Sequence, residues 1–510
     1  MQEINEYERQ RQLNIKRNQE LLRQLELDNI LKKETNIKNN STKKKGSDRK
    51  KEKKDYSTFP RRSSSRLLGL SLKLNDVDNK PQEIDLKEKT QQTKRVRIHG
   101  DLKLSDIIGE SYDWEKAREL VQEITHSIHE SYEKNESAEI VDKDISQLKQ
   151  KMQSLKLYKK WDPKYLKVVP ERISSISIHP SITKKIVFAG DKVGNMGIWD
   201  MDGSKTDTIK DDDQEETLEE PLIHHYKLHS GSISSLKFNP FSTNILYSSS
   251  YDGMVRALHL DKELSTEIYV QQSNSLNIIP LISALTVHPK GDQIYLTTTD
   301  GQFIIKDLNS QNVTSYQLHD KKIGGLSIHT SSPYLICTAS LDRTMKIWDL
   351  RTINNSKKPI HLGIYTSRLS VSSAFWNSEG SIVATSYDDT VTIFDNPNYK
   401  LWNIDTKLDD LSPTYTIKHN NQTGRWVTIL RAQWHENPSS GIQKFTIGNM
   451  QRYIDIYSSK GIYLSRLGNN EEITAVPAVC QFHPTQDWVV GGSASGKIVA
   501  YLPPEEQFLM

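Results

Sequence analysis

Nine basic side chains stand at comparable places in this sequence: Arg172, Lys192, Lys321, Lys322, Arg343, Arg368, Arg425, Arg452 and Lys497. Each lies either just before a short apolar, β-rich run or in the small-residue turn between two such runs. Lysines and arginines so placed do no covalent chemistry. They donate to anions, and a set converging on one surface suits phosphate groups. Trp426, directly after Arg425, adds a flat apolar group of the kind that wedges into a weakened base step. Damaged duplex costs less to kink or unstack than intact duplex, so such a surface can select lesions by deformability without reading bases. Lysines and arginines on loops are ordinarily only solvated, and recurrence at equivalent turns is what favours a nucleic-acid face.

No catalytic constellation accompanies them. His179, His288 and His483 each precede Pro at the same place in a repeating pattern, so they read as structural. There is no nucleophile elbow, phosphate-cradling glycine loop or metal-ligand spacing. An enzyme is not expected, and neither is a cofactor. Cys337 and Cys480 are the two cysteines; they lie far apart inside expected strands, which excludes a disulfide framework and fits a reducing compartment. No apolar run approaches the ~18 residues of a membrane span, and no secretory signal is evident, so a soluble intracellular chain without a membrane partner is expected.

The elements that must position the basic set are repeated β-hairpins. The clearest is Leu335–Arg351, LICTASLDRTMKIWDLR: two β-rich runs joined by an Asp342-Arg343 turn and ending in Trp348-Asp349. Six relatives of this unit surround it. Their leading strands are ISSISIHP (173–180), ISSLKFNP (233–240), ISALTVHP (282–289), LSVSSAFWN (369–377), ILRAQWHENP (429–438) and AVCQFHP (478–484), with IGGLSIHT (323–330) before the central hairpin. A spacing of about 42–62 residues suits four-stranded propeller blades with inserted loops, and the Trp-Asp ending marks the WD-repeat class. A helical solenoid fails because the period is two, not 3.6. The fold expected is all-β, a seven-bladed WD-repeat β-propeller over residues 164–502.

A propeller closes its ring to remove an open edge. The last unit ends at its third strand, so the β-rich Tyr165–Val169 is expected to supply the fourth. The acidic run Lys210–Pro221 reads as a disordered insertion.

The N-terminal third differs. Residues 2–31 have a helical pattern. Residues 32–66 carry 14 Lys/Arg against 4 Asp/Glu and too few apolar groups to bury a core, so a helix plus disordered basic tail is expected over 1–66. Such a tail suits nuclear import or salt-sensitive phosphate contact. Residues 67–160 read as a linker with helical segments at 113–134 and 142–158.

Several stretches carry a resemblance: HDKKIGGLSIH (319–329), SLDRTMKIWDLR (340–351), SRLSV (367–371), SYDDTVTIFD (386–395), HNNQTGRW (419–426), ASGKI (494–498), NIKRNQELLRQL and GDLKLSDI (100–107). In these the chain resembles the fungal changed-mutation-rate proteins, WD-repeat DNA-damage-binding proteins similar to the small subunit of the animal UV-damaged-DNA-binding factor. The resemblance implies a nuclear protein that binds DNA, prefers UV-damaged duplex and acts in DNA metabolism. It implies that Lys321 and Lys322, which match a DNA-facing lysine pair, face DNA here. The relative's third basic residue is replaced by Asp320, and its lesion-probing hairpin has no recognisable counterpart.

Trp348, Asp349 and Arg351 match a Trp-Asp-x-Arg box by which some propellers dock on the adaptor of cullin-RING ubiquitin ligases. Trp-Asp is also the ordinary blade ending, so Arg351 alone adds information. The rival reading is therefore a protein-interaction scaffold: a ligase substrate receptor, or an adaptor for histones or chromatin.

Overall fold

The computed structural model describes residues 97–109, 112–126, 145–211, 214–273, 277–353, 359–409, 411–468 and 471–504. The helix and basic tail expected over 1–66 lie outside these residues.

Seven antiparallel sheets form the propeller; in five the strands run in sequence order from the inner strand outward, and in blades two and seven the outermost strand comes from earlier in the chain. Blade four shows why these sequences take this form. Its strands are Ile323–Ile328, Leu335–Ser340, Thr344–Asp349 and Gly363–Thr366. The two innermost are buried along their whole length, because neighbouring blades cover both faces. Such strands read as continuous β-rich runs rather than as an alternation. Core clusters lie between blades: Ile323, Leu326, Ile336 and Trp348 of blade four pack with Tyr295 and Phe303 of blade three.

Ring closure differs in part from expectation. The outer strand of blade seven is Lys156–Leu157, paired with Leu502 and Tyr501, and the Tyr158 N–H extends it to the Ala500 carbonyl at 2.9 Å. The expected Tyr165–Val169 contributes a bridge, Lys167 to Lys497, and a bond from Val168 N–H to Gly496 O at 2.9 Å. The outer edge is thus built from two pieces. Between them Asp162 accepts the Lys164 and Tyr165 amides in a turn containing Pro163, which has no N–H to give to a ladder. The ring begins at Lys156, inside the stretch expected to be linker.

That stretch also caps the propeller's wall. Helix Trp114–His126 buries Leu120, Val121 and Ile124 against Phe188, Leu236 and Leu246 of blades one and two. Strand Leu102–Lys103 adds a fifth strand to blade two, and buried Arg256 holds the preceding segment through the carbonyls of Ile98 and Gly100. Helix Ile145–Ser154 buries Leu148 and Met152 against blades six and seven; its Lys151 pairs at 2.6 Å with the buried Asp487.

The acidic run is not an unstructured loop. Strands Asn195–Asp211 and Gln214–Lys227 pair continuously from Ser204↔Pro221 to Asp211↔Gln214, extending blade one's outer hairpin into an arm. Charge composition pointed to disorder, but a hairpin already held at its base needs only local pairing to continue.

Candidate nucleic-acid interface

In every blade the segment leading into the inner strand and the turn between the second and third strands lie at one end of the sheet. In blade one the Lys192 N–H bonds the Arg172 carbonyl at 2.9 Å, and in blade four Leu341 bonds Lys322 at 3.0 Å. The basic residues at these positions therefore share one rim of the channel. The turns share a design too. In several blades a polar side chain at the start of the turn takes the following amides, as Asp191 does from Val193, Gly194 and Asn195, Asp342 from Thr344 and Asn449 from Gln451. In all seven the chain then passes through a residue at positive φ. That residue is Gly194, Gly253, Gly301 or Gly496 in four blades, but Arg343 (φ 76°), Asp389 (63°) or Arg452 (70°) in the others. A side chain held there costs roughly 1–2 kcal/mol.

Lys321, Arg343, Arg368 and Arg425 are exposed, and Trp426 is 69% exposed. Their segments touch in sequence around blades four to six: Ser370 Oγ donates to the Leu341 carbonyl at 3.2 Å, Asn421 N–H to Asp389 at 3.0 Å, and the Gln422 amide to the Tyr387 carbonyl. The exposed cations thus form an arc over part of the ring. Nearby carboxylates are engaged inward. Asp388 accepts the Ser367 hydroxyl at 2.6 Å; burial pushes its carboxyl up, but this and other hydroxyl hydrogen bonds leave it below the ordinary range. Asp320 stands exposed beside Lys321 and subtracts from the field there.

The remaining predicted contacts are tethered. Lys192 faces Glu171 at 2.7 Å in a solvent-screened pair, and the ammonium's hydrogen bond and charge hold the Glu171 carboxyl below its usual range. Lys322 donates to the Tyr251 hydroxyl and lies 4.9 Å from that ring's centroid, linking blade four to the equivalent turn of blade two. Lys497 donates to the Lys164 carbonyl in the closing segment. Arg452 donates to the Ile473 carbonyl at 3.1 Å.

Arg172 has a different task. Its Nη1 donates to the Arg425 carbonyl at 2.9 Å, and Thr428 Oγ1 donates to the Ile173 carbonyl at 2.6 Å. The segment before blade six thereby crosses to blade one, which leaves that blade only Gln433–Trp434 as inner strand. A strand was expected from Ile429. The apolar pattern there is strand-like, but the hydrogen bonds of Thr428 and Ala432 go to Ile173 and Thr385 in other blades. Trp426 thus rides on a loop pinned from two sides, with the Arg425 guanidinium 5.2 Å from its ring. Tyr251 and Arg172's strut role were missed by sequence reasoning; neither leaves a local signal.

The opposite rim holds the Trp-Asp-x-Arg residues. Trp348 is 2% exposed, and its Nε1 donates to Thr338 Oγ1 at 2.8 Å. Thr338 lies 2.7 Å from His319 Nε2, whose Nδ1 lies 2.7 Å from Asp342. This chain of four ties the second and third strands of the blade to their turn and to the segment that leads into it, with the imidazole pushed down by burial. Asp349 is buried and grips Arg351 through Nε at 3.0 Å and Nη2 at 2.6 Å, while the guanidinium stacks 3.8 Å from the Tyr334 ring centroid. Trp348 and Asp349 are consumed by the blade, and Arg351 alone reaches solvent. The His-Pro histidines are structural as well: Nδ1 of His179, His288 and His483 each accepts the amide two residues on, at 3.2 Å.

A family model described as "WD domain, G-beta repeat" matches residues 220–257 and 310–349. The chain is 40% identical to the DNA damage-binding protein CMR1 of Phaeosphaeria nodorum, across 98% of this chain and 99% of the relative. It is 42% identical to the protein of the same name from Neurospora crassa, across 87% of each, and 38% identical to that of Emericella nidulans, across 98% and 99%. With a seven-bladed ring and near-complete coverage at this identity, the chain belongs to the fungal DNA damage-binding protein CMR1 family.

Proposed function

We propose that this protein binds duplex DNA, with preference for UV-damaged duplex, through the arc of Lys321, Arg343, Arg368 and Arg425, and that it works in the nucleus in the DNA damage response. One observation carries the reading. Four exposed cations and an exposed tryptophan share one rim, and the neighbouring carboxylates Asp342, Asp388 and Asp389 are hydrogen-bonded to the protein itself. The relatives' names point the same way. The cations position the duplex by its phosphates, and Trp426, held by Arg172 and Thr428, inserts where stacking is already weakened. Four phosphate contacts give a slope of log K against log salt of about −3.6.

The test is fluorescence anisotropy of UV-irradiated and intact duplex with the Lys321→Glu/Arg343→Glu/Arg368→Glu variant. Loss of binding to both duplexes with a flattened salt slope is expected; full retention overturns the interface. Lys322→Glu is a poorer probe, because it also breaks the Tyr251 contact.

The scaffold reading, a cullin-adaptor or chromatin partner on the opposite rim, rests on exposed Arg351. Its test is whether a captured adaptor is lost on Arg351→Ala.

A further inference from the structure

The inner strands of the blades, with Thr428, Ile429, Arg431 and Gln433 of blade six, line a cavity of about 100 Å³ inside the channel. Arg431, Gln433, Lys237, Ser175, Ser235 and Thr428 are among its lining residues, and no carboxylate residue lines it. Lys237 is matched by Glu436 at 3.2 Å. Arg431 makes no ion pair with a described carboxylate, and its Nε is buried without a hydrogen-bond partner. The Ser175 hydroxyl on the same wall is also buried and unpartnered, in a residue only 7% exposed. The guanidinium does not sit there by chance of a floppy loop. The Ala432 N–H bonds Thr385 Oγ1 at 3.0 Å, and Thr428 bonds Ile173.

We propose that this cavity is an oxyanion site, in which Arg431 and the Ser175 hydroxyl bind a group of the phosphate class inside the propeller channel. A partly buried guanidinium calls for an anion, because a buried charge persists when paired and hydrogen-bonded. The planar fork matches two oxygens of a tetrahedral oxyanion, and the serine hydroxyls of the wall supply donors for the others, the Thr428 proton being already given to Ile173. The volume exceeds the space one water needs, about 10–15 Å³, several-fold. The shared chemistry has two sources, free inorganic phosphate or the terminal phosphate of a DNA strand end. The site is separate from the rim arc, so it stands or falls independently of the duplex interface.

The experiment uses the full chain at matched ionic strength and titrates inorganic phosphate against chloride by calorimetry and thermal shift. Saturable binding is expected, weakened roughly tenfold or more by Arg431→Gln. Ser175→Ala, which keeps the strand, should weaken it several-fold. Affinity for duplex with 5′-hydroxyl ends, and its salt slope, should be unchanged in both. Duplexes ending in 5′-phosphate or 5′-hydroxyl separate the sources. A preference for phosphate that disappears in Arg431→Gln assigns the strand end, and equal affinity assigns the free ion. Absence of saturable phosphate binding to either source, or its persistence in both variants, overturns the site and leaves the cavity to water. If Arg431→Gln does not fold, Arg431→Lys and Ser175→Ala carry the same comparison.

Discussion

Arg343→Gly separates binding from folding, because it should move the two in opposite directions. Arg343 occupies the left-handed position of its turn at φ 76°, where four other blades have glycine. Keeping an arginine there costs roughly 1–2 kcal/mol, and glycine's extra freedom in the unfolded chain returns about 0.5–1 of that. The variant should therefore be more stable by about 0.5–1 kcal/mol, read as a higher midpoint in urea with unchanged slope. The same change removes one exposed cation from the arc. Each phosphate contact contributes about 0.9 to the salt slope, so between 50 and 200 mM salt the variant's affinity should fall about 3.5-fold less than the wild type's. Anisotropy at those two concentrations reads this directly. Unchanged affinity and salt slope would refute Arg343 as a phosphate contact, and a less stable variant would refute the strain argument. A variant both more stable and weaker in binding is the outcome that a merely structural arginine does not give.

Trp426→Ala should lower the preference for damaged over intact duplex while leaving affinity for intact duplex nearly unchanged, since phosphate contacts remain; competition anisotropy measures the ratio. Arg172→Gln should reproduce part of that loss without itself touching DNA, because it unpins the Arg425 carbonyl, and proteolysis within 424–430 should accelerate. A chain beginning at Trp161 loses Leu155, Leu157 and Tyr158, all buried, and should be less stable than one beginning at Leu155 by roughly 5 kcal/mol, measured by urea denaturation. Burial lowers His179 and His483 to about 4. Their contribution is present in full above the unfolded value near 6.5 and is lost as pH falls from there toward 4. Stability should drop over that window by on the order of 1.4 kcal/mol per pH unit for each, and His483→Gln should halve the pair's share of the slope.

The blades were legible in the sequence because strands covered on both faces read as unbroken β-rich runs, and His-Pro or Asn-Pro punctuates five of the seven. The side of the ring was legible too: turn position alone puts Lys321, Arg343, Arg368 and Arg425 on one rim. What each side chain meets was not. Arg172, Lys192 and Lys497 have the same type and place as the exposed four, yet their partners come from segments up to hundreds of residues away, such as Arg425 or Lys164. Closure by Lys156–Leu157 was hidden because two residues carry no period, and they follow directly on a helical seam. The segment Ile429–Arg431 reads as a strand because apolar spacing encodes burial and not the identity of the pairing partner. Trp348 illustrates the reverse case. A motif that suggested docking is satisfied inside the blade by Thr338.

The central claim concerns where on the ring DNA lies, and photo-crosslinking maps that directly. Duplex carrying a photoreactive thymine analogue is crosslinked to the full chain and the modified peptides are identified by mass spectrometry. Crosslinks should concentrate in 319–323, 340–344, 367–370 and 422–427, and should disappear in the Lys321→Glu/Arg343→Glu/Arg368→Glu variant. Crosslinks confined to 32–66, or to the rim that carries Arg351, would contradict the account.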